Sequence, residues 1–204
     1  MSYSTVTVTT PASSQDLASL ADLKTELQIT ANTDDVWLQA KITEASQVIA
    51  IYCARSFGQE TLTQTFRLDD APMALQLARF PIASVTSVTQ EGDALTTDQF
   101  EAQPEPGLLR RLSGDQPIAW NATKVTVVYQ AGYVLPSSAP PALRDACIIM
   151  VKGRYAARTR DPLIKSEEAQ DVYKFEYWVG GVSDSGSLYD LKAKLERFIS
   201  YARS

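Results

Sequence analysis

Apolar residues recur at steps of three and four between Thr33 and Phe57, where Leu38, Ile42, Ala45, Ile49 and Tyr52 form one stripe. That spacing predicts a buried helical face. Val36, Trp37, Val48 and Ile51 fall outside the stripe. A helix apolar over more than one sector is expected to be covered from two sides, or by a partner chain. Asn32 or Thr33 suits the cap, and Asp34 and Asp35 place negative charge at the positive end of the helix dipole. Arg55 suits the last turn and Gly58 a left-handed stop. The whole stretch predicts about 36 Å of helix.

An earlier helix is expected from about Ser14 to Gln28. Ser13 and Asp16 are placed as a capping box, and Leu17, Leu20, Leu23 and Leu27 lie on one face. The short connection Ile29–Thr33 sets the two helices roughly antiparallel. Ahead of them, Val6 and Val8 alternate with threonines, which makes a short strand if an edge receives it, and otherwise a loose arm.

Beyond Gly58 the period changes to two. Leu62, Phe66 and Leu68 alternate with Thr63, Thr65 and Arg67, and strands are expected at Leu62–Leu68, Ala74–Leu77, Ser84–Gln90, Gln99–Ala102, Leu108–Leu112 and Lys124–Tyr129. Turn chemistry separates them, and the close spacing predicts an antiparallel meander folded as a small sandwich or barrel. Helix resumes at Pro140 or Pro141, with Leu143, Ala146, Cys147, Met150 and Tyr155 on its apolar side, and Gly153 weakens its last turn. Residues 157–187 mix charges with Tyr173, Phe175, Tyr177 and Trp178 and read as a long docking loop. A last amphipathic helix is expected at Ser187–Arg203, with Leu188, Leu191, Leu195 and Phe198 on one face.

The fold class is therefore α+β: a helical bundle core of about four helices, with an antiparallel β-sandwich or barrel-like unit inserted between the second and third. Residues 1–59 supply an N-terminal arm and two helices, 60–131 the β unit, and 132–204 the third helix, the loop and the closing helix.

Composition narrows the function. The chain has 204 residues, 45% of them hydrophobic, and a formal net charge of −5 with no Lys/Arg run. A surface built to grip nucleic acid is not expected. No apolar run is long enough for a membrane span, and the N-terminus lacks the basic and apolar blocks of a secretory leader. Cys53 and Cys147 fall among apolar neighbours and read as small buried thiols.

There is no histidine, which removes the commonest general base and most transition-metal sites. Asp34-Asp35 reads as a helix start and Asp69-Asp70, ahead of Ala71-Pro72, as a turn. Glu167, Glu168 and Asp171 read as a solvated face. Arg158 and Arg160 suit an inter-subunit salt bridge better than a phosphate. No catalytic residue, cofactor site or metal site is assigned. The candidate interface is Arg158, Arg160, Tyr173, Phe175, Tyr177, Trp178, Leu188, Leu191, Leu195 and Phe198.

Several short patterns also occur in an ordered series. "LADLKTELQITANTDDVWLQAKITEASQVIAIYCARSF" has a leucine-rich first helix, a "DD" start and a long helix that ends in Tyr52, Arg55 and Phe57. "ARFPIASVTSVTQEGDAL" places a Pro-hydrophobic pair before a repeated Ser-Val and a Gly turn. "VTVVYQAGYVLPSSAPPALRDACIIMVKGRYAAR" holds a return strand, a Tyr-x-x-Gly-Tyr exit and a helix that ends in Tyr plus Arg. Over about residues 17–160 the chain resembles the head–tail connector (adaptor) proteins of tailed bacteriophages and gene transfer agents.

The resemblance implies a structural, non-enzymatic virion protein. Such adaptors form a dodecameric ring beneath the portal, extend the DNA channel and dock stopper or tail-completion proteins, with DNA passing through unbound. It implies synthesis in the host bacterial cytoplasm and a place at the head–tail interface, with no membrane partner. Two other readings stand beside it: a monomeric β-sandwich ligand-binding module braced by helices, and a hydrolase using Asp69, Asp70 or Glu167.

Overall fold

The computed structural model describes residues 2–158, 166–169, 173–176 and 186–200. The chain divides into two compact units, Met1–Gln15 with Arg55–Ser138, and Asp16–Ala54 with Ala139–Ser204. The class is α+β, with four α-helices and antiparallel sheets among the described residues.

In the first unit, strands β1 (Tyr3–Thr10), β2 (Glu60–Arg67), β9 (Lys124–Ala131), β4 (Ile82–Gln90) and β5 (Asp93–Ala94) lie side by side in that order. A second sheet runs β3 (Ala74–Gln76), β7 (Leu108–Ser113), β6 (Phe100–Gln103), with β8 (Gln116–Ile118) also paired on β7. The strands expected from alternation are present. Their order is not that of a meander, because β2 pairs with β9 at the far end of the unit, Leu62 opposite Tyr129 and Phe66 opposite Val125. Alternation reveals which face a side chain takes; it does not reveal the partner strand. β5 and β8 were not expected, and each is a two- or three-residue return beside a Gly turn. Val6 and Val8 do find an edge: β1 pairs antiparallel with β2.

Both sheets feed one core. Leu62 and Phe66 from β2, Leu109 from β7, and Val125, Val127 and Tyr129 from β9 close around the fully buried Trp120. Gln64 points inward among them, yet its amide is satisfied. Its Oε1 accepts from the Ala78 N–H at 2.9 Å and the Tyr129 hydroxyl at 3.0 Å, and its Nε2 donates to Ser4 Oγ at 3.1 Å. A buried amide bonded through both its oxygen and its nitrogen fixes strand register, where an unbonded one would weaken the core. Burial pushes the Tyr129 phenol above its ordinary range.

The second unit holds α1 (Leu20–Leu27), α2 (Asp35–Tyr52), α3 (Pro141–Arg158), a short antiparallel pair β10 (Ser166–Ala169) and β11 (Tyr173–Glu176), and α4 (Gly186–Glu196). α1 starts six residues later than expected. Ser19, extended at φ −85 and ψ 154, accepts the Asp22 N–H at 3.0 Å, so the cap is Ser19 and not Ser13. Leu17 stays buried ahead of the helix, its N–H given to Ser46 Oγ on α2 at 2.9 Å.

α2 spans about 27 Å by the usual rise, shorter at both ends than its apolar pattern. Leu38, Ile42, Ala45 and Ile49 are buried as expected, with Ser46 beside them; Tyr52 is 44% exposed instead. Asp34 stands at the cap position without a side-chain cap bond, in place of Asn32 or Thr33. The left-handed residue at the exit is Ala54, φ 52, and not Gly58. α3 starts at Pro141 as expected; Val151 is buried while Met150 is half-exposed.

Gly153 does not end α3, which runs on to Arg158. A Cβ at Gly153 meets nothing within 4 Å. Gly153→Ala should therefore stabilise the chain by up to about 1 kcal/mol, through higher helix propensity and a less free unfolded chain. A urea midpoint unchanged or lowered would contradict this.

The segment after α3 is not loop throughout, since β10 and β11 pair within it. α4 ends at Glu196, short of Arg203. The Phe198 N–H turns back to the Leu195 carbonyl at 2.8 Å, and the Ser200 N–H donates to the Cys53 carbonyl at 2.9 Å, which draws the backbone off the helical path.

Candidate assembly surface

The motif residues of the first unit converge on one junction. Arg55 lies past the helix it was expected to end. Its guanidinium sits 4.1 Å from the Phe80 ring centroid and 5.1 Å from that of Phe57, and it donates to the Phe80 carbonyl. Phe57 is buried and its carbonyl accepts the Tyr133 N–H at 2.8 Å. The Gly132 N–H donates to the Pro81 carbonyl at 2.9 Å, and the Gln59 N–H to the Tyr133 carbonyl at 2.8 Å. Gly132 is at φ +104, and a Cβ there would stand 2.4 Å from the Gly58 carbonyl oxygen. Gly58 is required for a related reason: its own Cβ would lie 2.6 Å from Ala12 Cβ and 2.7 Å from the Ser14 carbonyl. These motifs hold backbone together and present no reactive group.

The acidic pairs are also engaged. Asp34 accepts from Arg158 at 2.6 Å and Tyr155 at 3.5 Å, while Lys24 pairs with Asp35 at 2.8 Å. Arg158, a candidate interface residue, thus bonds within its own unit, and its guanidinium also lies 5.1 Å from the Trp37 ring centroid. Asp70 accepts from the Ser2 hydroxyl at 2.8 Å, and the Asp69 N–H donates to the same oxygen at 3.0 Å. Both line an open depression of about 420 Å³ together with Glu91. Among the described residues no group of three or more acidic, Cys or His side chains is arranged to hold a metal. Glu167 and Glu168 are in β10, opposite Phe175 and Lys174; Asp171 lies outside the described residues.

Glu91 accepts from the Thr123 hydroxyl at 2.8 Å, the Thr123 N–H, and the Lys124 N–H at 3.0 Å. The Thr123 hydroxyl, followed by the two backbone N–H groups, holds its carboxyl below the usual range. A folded pKa below the unfolded one contributes stability above the ordinary carboxylate range, and loses it as pH falls through the folded value. Glu91→Gln should lower the melting temperature more at neutral than at acid pH, and so flatten the acid limb of melting temperature against pH. An unchanged acid limb would count against it.

Cys53 and Cys147 are buried and not joined to each other. Burial pushes the Cys147 thiol up to about 11, against a smaller opposing effect of its contact with the Ser46 hydroxyl at 3.6 Å. No reactive thiolate is set up there.

Exposed apolar surface is what remains. On α2, Val36 is 86% and Ile51 79% exposed, with Val48 beside Ile51 also open. In the first unit Tyr3, Val6 and Val8 on β1 are exposed. Of the aromatic candidates, Tyr173 and Phe175 lie in β11, opposite Ala169 and Glu167. Arg160, Tyr177 and Trp178 fall outside the described residues. Leu188 belongs to α4, and the later Leu191, Leu195 and Phe198 are buried within the helical unit. The α2 sector was legible as apolar positions off the stripe. β1 was legible as a short strand in need of an edge, and not as exposed apolar surface.

The head completion protein family matches residues 16–159. Among curated proteins none matches. Several solved structures share the fold. A chain in the neck of an empty GTA particle, computed with C6 symmetry, superposes with a TM-score of 0.59 at 15% identity, covering 96% of this chain and 95% of that one. A chain in the neck of the native particle, computed with C12 symmetry, gives 0.56 at 14% identity over the same shares. A chain in the virion of the native gene transfer agent gives 0.54 at 15%, again over those shares. With the family match spanning well over half of its length, the chain belongs to the head completion protein family.

Proposed function

We propose that this chain is a structural head–tail connector of a tailed phage or gene-transfer-agent-like particle. It assembles as a ring, of twelve copies by the connector resemblance, beneath the portal. There it extends the DNA channel and offers a docking surface to a stopper or tail-completion protein. The reading rests chiefly on family membership across 16–159, supported by fold likeness to chains of a particle neck computed with C6 and C12 symmetry.

The physical surface agrees. Val36 and Ile51 leave more apolar area open on α2 than a lone unit needs, as at a face met by another subunit. In this reading Arg160, Tyr173, Phe175, Tyr177, Trp178 and Leu188 make contacts with portal or neighbouring copies. Arg158, bonded to Asp34, sets the exit of α3, and the buried Leu191, Leu195 and Phe198 hold α4 in place. The helices from both ends form the body, and the β unit is a sandwich carried between the second and third. Net charge −5 suits a channel that DNA slides through without sticking. No catalysis is assigned, because Asp34, Asp35, Asp70 and Glu91 are engaged in structural bonds.

Negative-stain images of the protein mixed with its cognate portal test this reading. An added annular layer below the portal is expected; a portal of unchanged outline would contradict it.

A further inference from the structure

β1 presents an open edge whose sequence is nearly the same read in either direction. About Thr7, Val6 mirrors Val8, Thr5 mirrors Thr9, and Ser4 mirrors Thr10. β1 is the terminal strand of its sheet, and every one of its eight residues is exposed. Ser4, Val6 and Val8 pair with Phe66, Gln64 and Leu62. They therefore share the core face of the sheet, because directly opposed residues point the same way. Phe66, Gln64 and Leu62 are buried, while Val6 and Val8 remain 40% and 43% exposed. The core face thus continues onto β1 without a cover.

Edge strands are ordinarily guarded by lysine, proline or a bulge in mid-strand. β1 has no charged residue and no proline, and its one register shift lies at the end, between Val8 and Thr10. The other long free stretch of this sheet differs. β4 carries two register shifts, between Ile82 and Ser84 and between Val85 and Ser87, and its end is taken by β5. A β1–β4 contact between copies would meet that irregular edge. A β1–β1 contact meets its own complement.

We propose that β1 is a self-association surface, on which β1 of a second copy pairs antiparallel about a two-fold axis at Thr7. Val6 then lies opposite Val8 of the other copy on the core face, and Thr5 opposite its Thr9 on the outer face. The two five-stranded sheets become one continuous sheet, and neither strand brings a charge to the seam. Such a contact is isologous and cannot by itself close a ring of many copies. It is a second surface, and stands or falls independently of the ring.

Single-cysteine cross-linking reads this register directly. Residues on a two-fold antiparallel axis have Cα atoms about 4.5–5.5 Å apart, within disulfide reach. Thr5 and its symmetry mate are four residues out of register, about 13 Å by strand rise, and beyond it. Native Cys53 and Cys147 are buried and give little background. Thr7→Cys should form a covalent dimer under mild oxidant at least tenfold faster than Thr5→Cys. In sedimentation, Val6→Lys should weaken the non-covalent dimer at least tenfold, with the melting temperature confirming its fold. Equal cross-linking at the two positions overturns the proposal. So does an unaltered monomer mass across the micromolar range, which would leave the edge to a strand of another protein.

Discussion

Replacing Gly132 with valine is expected to abolish the folded β unit. Even one added carbon would stand 2.4 Å from the Gly58 carbonyl oxygen and 2.9 Å from that of Phe57, both backbone atoms that cannot swing aside. The residue is also at φ +104, where a β-branched side chain is strained on its own account. Steric and torsional costs add, so the loss should exceed about 3 kcal/mol. Gly114 is the control: it is at φ +54 but a Cβ there meets nothing within 4 Å, so Gly114→Ala should cost about 1–2 kcal/mol. Urea unfolding of both variants by circular dichroism separates the effects. Similar midpoints would show that Gly132 serves only a turn.

Trp120→Ala should destabilise by about 3–5 kcal/mol, the usual range for emptying a buried aromatic site. Trp120 is fully buried between the sheets, and its Nε1 donates to the Leu109 carbonyl at 3.3 Å. Trp120→Phe should recover most of the packing while leaving that carbonyl without its donor, a residual cost of about 1–3 kcal/mol. Equal losses for the two variants, again by urea unfolding, would mean that the indole volume matters less than its hydrogen bond.

Periodicity revealed the helices and most strands because burial is what spacing encodes: Leu38, Ile42, Ala45 and Ile49 are all inside. Element ends were less legible, since residues suited to caps had other partners. Asp34 bonds Arg158 and Tyr155, and Arg55 stacks on Phe80. Those partners lie 124, 121 and 25 residues away, beyond any local signal. The β2–β9 pairing was hidden for the same reason. β10 was hidden differently, because Ser-Glu-Glu-Ala has no strand composition and its strand conformation goes with its pairing to β11. The connector-like motifs were legible as patterns. Their role was not, since the need for glycine at 58 and 132 arises from two backbones meeting. Of the candidate surface, the open sector of α2 could be read as apolar residues off the main stripe. The near-palindrome of β1 acquires meaning only once the strand is known to sit at an edge.

The proposed assembly is a ring of copies of this chain at a portal. Light scattering of the purified protein, alone and mixed with its cognate portal, measures this most directly. A particle mass matching a closed ring of copies, formed alone or on the portal, is the predicted result. A mass that remains that of a monomer or dimer whether or not portal is present would contradict it.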